Sequence, residues 1–195
     1  MTLQTTTPLV HTSLDASHRQ VLRLARTISE GDVDLNPPYQ RGEKWTRDQQ
    51  RLLFRSMLLG VPVPAIILND RHASGMASPD EPSYAVIDGK QRLLACVAWL
   101  DDDLDLPASW FKPEDVAVAV DTPDGPYVTR SGLTVRAERL MHTRCTCAVA
   151  TAQVPTIKDE AEIFLLVNRA GTPMDDEDYA AAEAITAAAA GPSGE

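Results

Sequence analysis

The sequence predicts a single α+β domain, on three observations. Two segments open with the same helix-start spacing, Ser17 with Gln20 and Thr46 with Gln49, and each continues with apolar residues at helical intervals. Short apolar runs of strand length, at residues 65 to 68, 84 to 87 and 116 to 120, stand between and after them, bounded by Gly, Pro and polar clusters. The chain has 195 residues, 44% hydrophobic and 24% charged, which is the make-up of a globular protein. That length buries about 70% of the surface an unfolded chain exposes, so neither disulfides nor a metal are needed for folding.

Taken in order, residues 1 to 14 are Thr-rich and aperiodic and read as a flexible leader. Ser17 is the expected cap of a first helix whose buried face is Val21, Leu22, Leu24, Ala25 and Ile28, with Gly31 as its stop. A short strand at 33 to 35 leads into Asn36-Pro37-Pro38, where the prolines force an extended approach to Tyr39-Gln40-Arg41. The second helix, capped by Thr46, carries Leu52, Leu53, Met57 and Leu58 and ends at Gly60; Val61-Pro62-Val63-Pro64 then feeds the strand at 65 to 68. Residues 69 to 83 form a polar loop.

The strand at 84 to 87 runs straight into Asp88-Gly89, and a helix starts at about Lys90, with Leu93, Leu94, Val97 and Ala98 on its apolar face. The acids between 101 and 105 must lie beyond that helix, because carboxylates oppose the dipole at a C-terminus. A strand at 116 to 120, a turn at 123 to 126 and a strand at 144 to 149 follow. Thr156 caps a helix with Ile163, Phe164 and Val167 buried and Gly171 as its stop; an Ala-rich helix over about 175 to 190 closes the domain. The domain thus spans 15 to 190, with 191 to 195 a flexible tail.

Several functional classes are disfavoured at once. No apolar run approaches the ~20 residues of a membrane span and the polar start lacks a signal-peptide core, so a cytoplasmic protein without membrane contact is expected. Three cysteines, with Cys145 and Cys147 one residue apart, suit buried thiols rather than a disulfide framework or zinc. His11, His18, His72 and His142 are scattered, with no metal-type spacing, so no metal site is expected. A net charge of −10 opposes indiscriminate binding to nucleic acid. The charge is uneven, however: residues 1 to 60 hold eight Lys/Arg against six Asp/Glu, and the remainder ten against twenty-two. Any contact with a polyanion belongs to the N-terminal third, where Arg47, Arg51 and Arg55 recur on one helix face as candidate DNA contacts.

The chemistry concentrates at Asp88-Gly89-Lys90-Gln91-Arg92. A strand that turns at once into a helix aims unpaired N–H groups and the positive end of the dipole at one spot, which suits a phosphate. Gly89 permits the tight turn, Lys90 adds charge, and Arg92 can fork two phosphate oxygens.

Four ordered blocks surround this turn: Asn36-Pro37-Pro38-Tyr39-Gln40-Arg41 with Trp45; Ser56-Met57-Leu58-Leu59-Gly60-Val61-Pro62-Val63-Pro64; Val86 to Leu93; and Asn168-Arg169-Ala170-Gly171-Thr172-Pro173. Their order resembles the N-terminal domain of GmrSD-type restriction proteins, with its P-x-Y-Q-R, small-G-x-P-x-P, D-G-Q-Q-R and N-x-x-G-x-P blocks. The resemblance implies a ParB/sulfiredoxin-like fold, a small mixed sheet with flanking helices. It also implies binding of a nucleoside triphosphate of unknown base and hydrolysis in DNA restriction; Asp88 and the acids at 101 to 103 are able to bind Mg2+, although an acidic run is usually a solvated loop. On that basis Gln40, Arg41, Asp88, Gly89, Lys90, Gln91, Arg92 and Asn168 are the nucleotide-binding candidates and Asp88 the catalytic one. Lys90 stands where the family usually has Gln, which adds attraction for a polyphosphate and can disturb hydrolysis. The chain shows no HNH-type nuclease segment, so a separate nuclease or other protein partner is expected. The competing reading is a ParB-like DNA-binding or regulatory adaptor that does not hydrolyse; direct nuclease action is a third.

Overall fold

A computed structural model describes Pro8, residues 11 to 40, residues 44 to 169 and Ala184. A five-stranded mixed sheet is its centre, in the order β1-β8-β3-β4-β2. These strands are β1 (Asp15–Gln20), β2 (Val33–Asp34), β3 (Ile66–Asp70), β4 (Tyr84–Asp88) and β8 (Thr146–Ala152). β1 runs antiparallel to β8, β8 parallel to β3, β3 antiparallel to β4, and β4 parallel to β2. A small antiparallel sheet, β5 (Leu106–Pro107), β6 (Val120–Thr122) and β7 (Gly125–Val128), has the order β5-β7-β6. The α+β class is therefore observed.

The helices are α1 (Val21–Ser29), α2 (Arg47–Leu59), α3 (Lys90–Leu100), α4 (Val135–Arg144) and α5 (Ile157–Arg169). They cover both faces of the large sheet, which explains why β3 and β4 read as unbroken apolar runs rather than alternating ones. On one face Ile66, Leu68 and Val86 pack with residues of α1 to α4, including Leu24, Phe54, Trp99 and Met141. On the other, Ile67 and Ile87 pack with Tyr39 and with Ala161, Phe164 and Leu165 of α5. The Phe54 and Trp99 rings sit 5.3 Å apart and tilted, an arrangement that favours aromatic contact.

α2 begins as its sequence demands: the Thr46 hydroxyl accepts from the Gln49 N–H at 3.3 Å, and the Gln49 amide oxygen accepts from the Thr46 N–H at 2.8 Å. Thr156 likewise accepts from the Asp159 N–H at 3.2 Å at the start of α5. The expected first helix needs correction at its start. Ser17 and Gln20 belong to β1, where Ser17 faces Val149, and the helix opens only at Val21, whose N–H donates to the Cys145 carbonyl at 3.1 Å. Pairing with β8 outcompetes a capping box worth ~1 kcal/mol.

The expected strand at 116 to 120 also needs correction. Val116 makes one isolated bridge to Leu133, while Val118 and Val120 are exposed, and the strand proper is β6. Helix α4 was not foreseen. The loop at 71 to 83 is tied back at its base, the Ser83 carbonyl accepting from the N–H groups of Arg71 at 2.8 Å and His72 at 3.3 Å. All three cysteines are buried thiols, and burial pushes Cys145 up to about 12. No helix among the described residues is long and apolar enough to cross a membrane. The expected stop at Gly171, the helix over 175 to 190 apart from Ala184, and the tail lie outside the described residues.

Candidate functional site

The turn between β4 and α3 takes the form its sequence requires. Gly89 has φ +94°, in the left-handed region, and a Cβ there would stand 3.0 Å from Ile66 Cγ1 and 3.1 Å from the Arg92 guanidinium. Both backbone strain and crowding therefore select glycine. No side chain caps α3. The N–H groups of Lys90, Gln91 and Arg92 lie in the first turn, where no intrahelical acceptor exists, and there are no acids in that turn to balance the dipole.

Arg92 folds back across the turn. Its Nη2 donates to Asp88 Oδ2 at 2.5 Å and to the Ala65 carbonyl at 3.2 Å, while its Nε is buried without a partner. Lys90 Nζ donates to Asn36 Oδ1 at 2.8 Å, an exposed contact. The Gln91 amide oxygen accepts from the Trp45 N–H at 3.1 Å and so ties the start of α2 to the start of α3.

Gln40 Nε2 donates to the carbonyls of Val86 at 3.2 Å and Ile87 at 2.8 Å. It thereby continues along β4 the pairing that β2 provides at Tyr84 and Ala85. Residues far apart in the chain are thus brought to one turn. The Asn168 amide donates to the Phe164 carbonyl at 2.8 Å within α5. Arg41 lies outside the described residues.

Beside the Tyr84–Val86 part of β4 lies a buried network that sequence reasoning missed. Glu160, fully buried on α5, accepts from Arg71 Nε at 2.8 Å and Nη2 at 2.7 Å, from Asn69 Nδ2 at 2.8 Å and from the Tyr39 hydroxyl at 3.1 Å. Arg71 Nη1 reaches Asp34 Oδ2 at 3.0 Å. Burial first, then the Glu160 charge, pushes the Tyr39 hydroxyl far above its ordinary range, so it stays a neutral donor. The hydrogen bond to Glu160 raises the Arg71 guanidinium likewise. Arg71 belongs to the interior at the mouth of its loop, not to the polar loop itself. Its partners stand 37 and 89 residues away, and no local pattern announces them.

The basic face of α2 is largely occupied. Arg51 pairs with Asp105 at 2.7 Å and Asp48 at 3.0 Å and lies 4.4 Å over the Tyr127 ring; Arg47 reaches the Asp103 carbonyl and Asp105. Part of the acidic cluster after α3 therefore serves to hold α2. Among the described residues no three His, Cys, Asp or Glu side chains are grouped to hold a metal.

Residues 22–185 match the family described as GmrSD restriction endonuclease, N-terminal domain. The chain belongs to that family. The match takes in all four sequence blocks and the β4–α3 turn, and it makes this GmrSD-type domain a restriction-system protein, in a setting of DNA and nuclease partners. No curated protein and no solved structure matches the chain significantly.

Proposed function

We propose that this GmrSD-type domain binds a nucleoside triphosphate at the β4–α3 turn, in a ParB/sulfiredoxin-like manner, and hydrolyses it in the service of cytoplasmic DNA restriction. The observation that carries the reading is the uncapped start of α3, whose open N–H groups lie beside an arginine with an unpartnered, buried Nε. A buried donor without an acceptor costs about 1–3 kcal/mol, and a phosphate oxygen is the acceptor this geometry lacks. Polyphosphate oxygens would take the N–H groups of Lys90, Gln91 and Arg92, and Lys90 Nζ would add its charge from the rim.

Asp88 is the carboxylate of the turn, bound to Arg92. A phosphate that draws the guanidinium away leaves Asp88 to orient a water or to face the magnesium that a triphosphate carries. Magnesium, where present, would neutralise phosphate charge there. Gln40 holds the end of β4 in place from a neighbouring segment.

The second reading, a nucleotide-binding adaptor without hydrolysis, is favoured by the Asp88–Arg92 pair and by Lys90 in place of the family's Gln. A thermal-shift panel of the four ribonucleoside triphosphates, with and without magnesium and followed by phosphate-release assay, decides between them. One nucleotide should raise the stability by ~2.7 kcal/mol at a hundredfold excess over its dissociation constant. A flat panel sinks both readings, and a shift without phosphate release selects the adaptor. DNA contact through Arg47, Arg51 and Arg55 would require Arg51 to leave Asp105. It should appear as a salt slope of about −0.9 per phosphate neutralised.

A further inference from the structure

A groove of about 630 Å3 lies away from the turn, between α2, α4 and the Trp110–Lys112 segment. Its walls repeat one pattern. On α4, Arg136, Leu140 and Arg144 follow at four-residue spacing, alternating cation and leucine along one helix face, and on α2 Arg55 and Leu59 add one such pair, one turn apart. The floor is apolar, with Leu58, Ala137 and Met141, and Trp110 and Phe111 close one side.

Two features set this groove apart from an ordinary surface. Leu59 is 68% exposed and Leu140 38%, so large aliphatic groups flank it uncovered. Four cations line it against one carboxylate, Asp115, which Arg136 holds at 2.7 Å, with Glu114 4.0 Å away. Arg55, Lys112 and Arg144 make no side-chain hydrogen bond or ion pair among the described residues. On a chain of net charge −10 this is a concentrated local reversal of sign.

We propose that this groove docks an acidic amphipathic helix of a protein partner, with leucine-type side chains against Leu58, Leu59, Leu140 and Met141 and carboxylates against Arg55, Lys112 and Arg144. Cations on both sides of an apolar floor are complementary to one helix that carries an apolar stripe flanked by acids. Nucleic acid fits less well, because the floor and its uncovered flanks are aliphatic and concave, and a polyanion brings far more charge than the groove's four cations neutralise on a chain of net charge −10. The inference stands independently of nucleotide binding at the β4–α3 turn.

The test uses the full chain and fluorescein-labelled synthetic peptides of about 16 residues, long enough for marginal helix formation. One peptide carries Leu at i, i+3, i+4 and i+7 with Glu elsewhere; a second is its scramble; a third replaces Glu by Lys; a duplex and a single-stranded oligonucleotide complete the panel. The acidic amphipathic peptide should bind with a dissociation constant below about 1 mM, and at least about tenfold tighter than its scramble or its basic analogue. The double variant R55Q/R144Q and the single variant Leu59→Ser should each weaken it by about tenfold with little change in the melting temperature, since all three side chains are exposed and no carboxylate is placed at the end of α4. Absence of peptide binding overturns the proposal. Equal binding of the scramble also overturns it, since charge alone then suffices. Oligonucleotide binding that the same variants abolish, without peptide binding, would make the groove a nucleic-acid face instead.

Discussion

The starts of α5 and α3 are opposites. α5 opens with a threonine cap, acids Asp159 and Glu160 in its first turn, and an arginine, Arg71, clasping the second of them from outside. α3 opens with no cap and no acid, and it carries Lys90 and Arg92 where the dipole is already positive. The first arrangement is complete in itself. The second leaves first-turn N–H groups uncapped beside Lys90 and Arg92, and under the proposed function an anion completes it; the contrast sets an arginine that holds the fold against one that would meet a ligand.

The largest effect that would sharpen this contrast is expected at α5. Arg71→Ala leaves Glu160 buried without its countercharge, and breaking a buried pair in this way costs about 3–5 kcal/mol. Chemical denaturation should show that loss, while the nucleotide dissociation constant of the folded fraction stays unchanged. Arg92→Ala should reverse the outcome, weakening nucleotide binding by about 1.5–3 kcal/mol in calorimetric titration. If the two variants lose nucleotide affinity equally, the distinction between the helix starts collapses and the site at the turn goes with it.

Smaller effects follow from the remaining groups. Thr156→Ala removes the cap of α5 and should lower stability by about 1 kcal/mol in a denaturant melt, with no effect on ligand binding. Lys90→Gln removes one exposed cation from the mouth of α3 and should reduce nucleotide affinity by about 0.3–1 kcal/mol while raising the rate of phosphate release. An unchanged or lower rate in that variant would show that Lys90 does not restrain turnover.

What the sequence disclosed was whatever had a local cause. α2, α3 and α5 are legible because each combines a cap or a turn glycine with apolar residues at one period, and β4 because an unbroken apolar run ends at a turn glycine. The turn at 88 to 92 was legible for the same reason, all its parts being consecutive. β1 was misread because Ser17 and Gln20 satisfy the helix-start spacing locally, and the partner that decides otherwise, β8, lies some 130 residues away. α4 escaped notice because it buries only Ala137 and Met141, too few to establish a period. The run at 116 to 120 looked like a buried strand although Val118 and Val120 face solvent. Glu160, Arg71, Asn69 and Tyr39 could not be joined from sequence at all, since their contact exists only once α5 is laid across β3 and β4.

The position of β1 bears on how the domain is handled. The family match begins at residue 22, just past Gln20, so a fragment cut to that boundary would lose the whole strand. Its six residues cover β8 along nearly its full length, and they bring charged and polar side chains, Asp15, His18 and Arg19, to the rim of the sheet. Without them β8 becomes a bare edge of Cys147, Val149 and Thr151 with unsatisfied backbone groups, a template on which a second chain can add itself. Such a fragment should self-associate more readily than a chain that keeps β1, so the six residues of that strand, ahead of the matched region, act as a guard against aggregation rather than as an appendage.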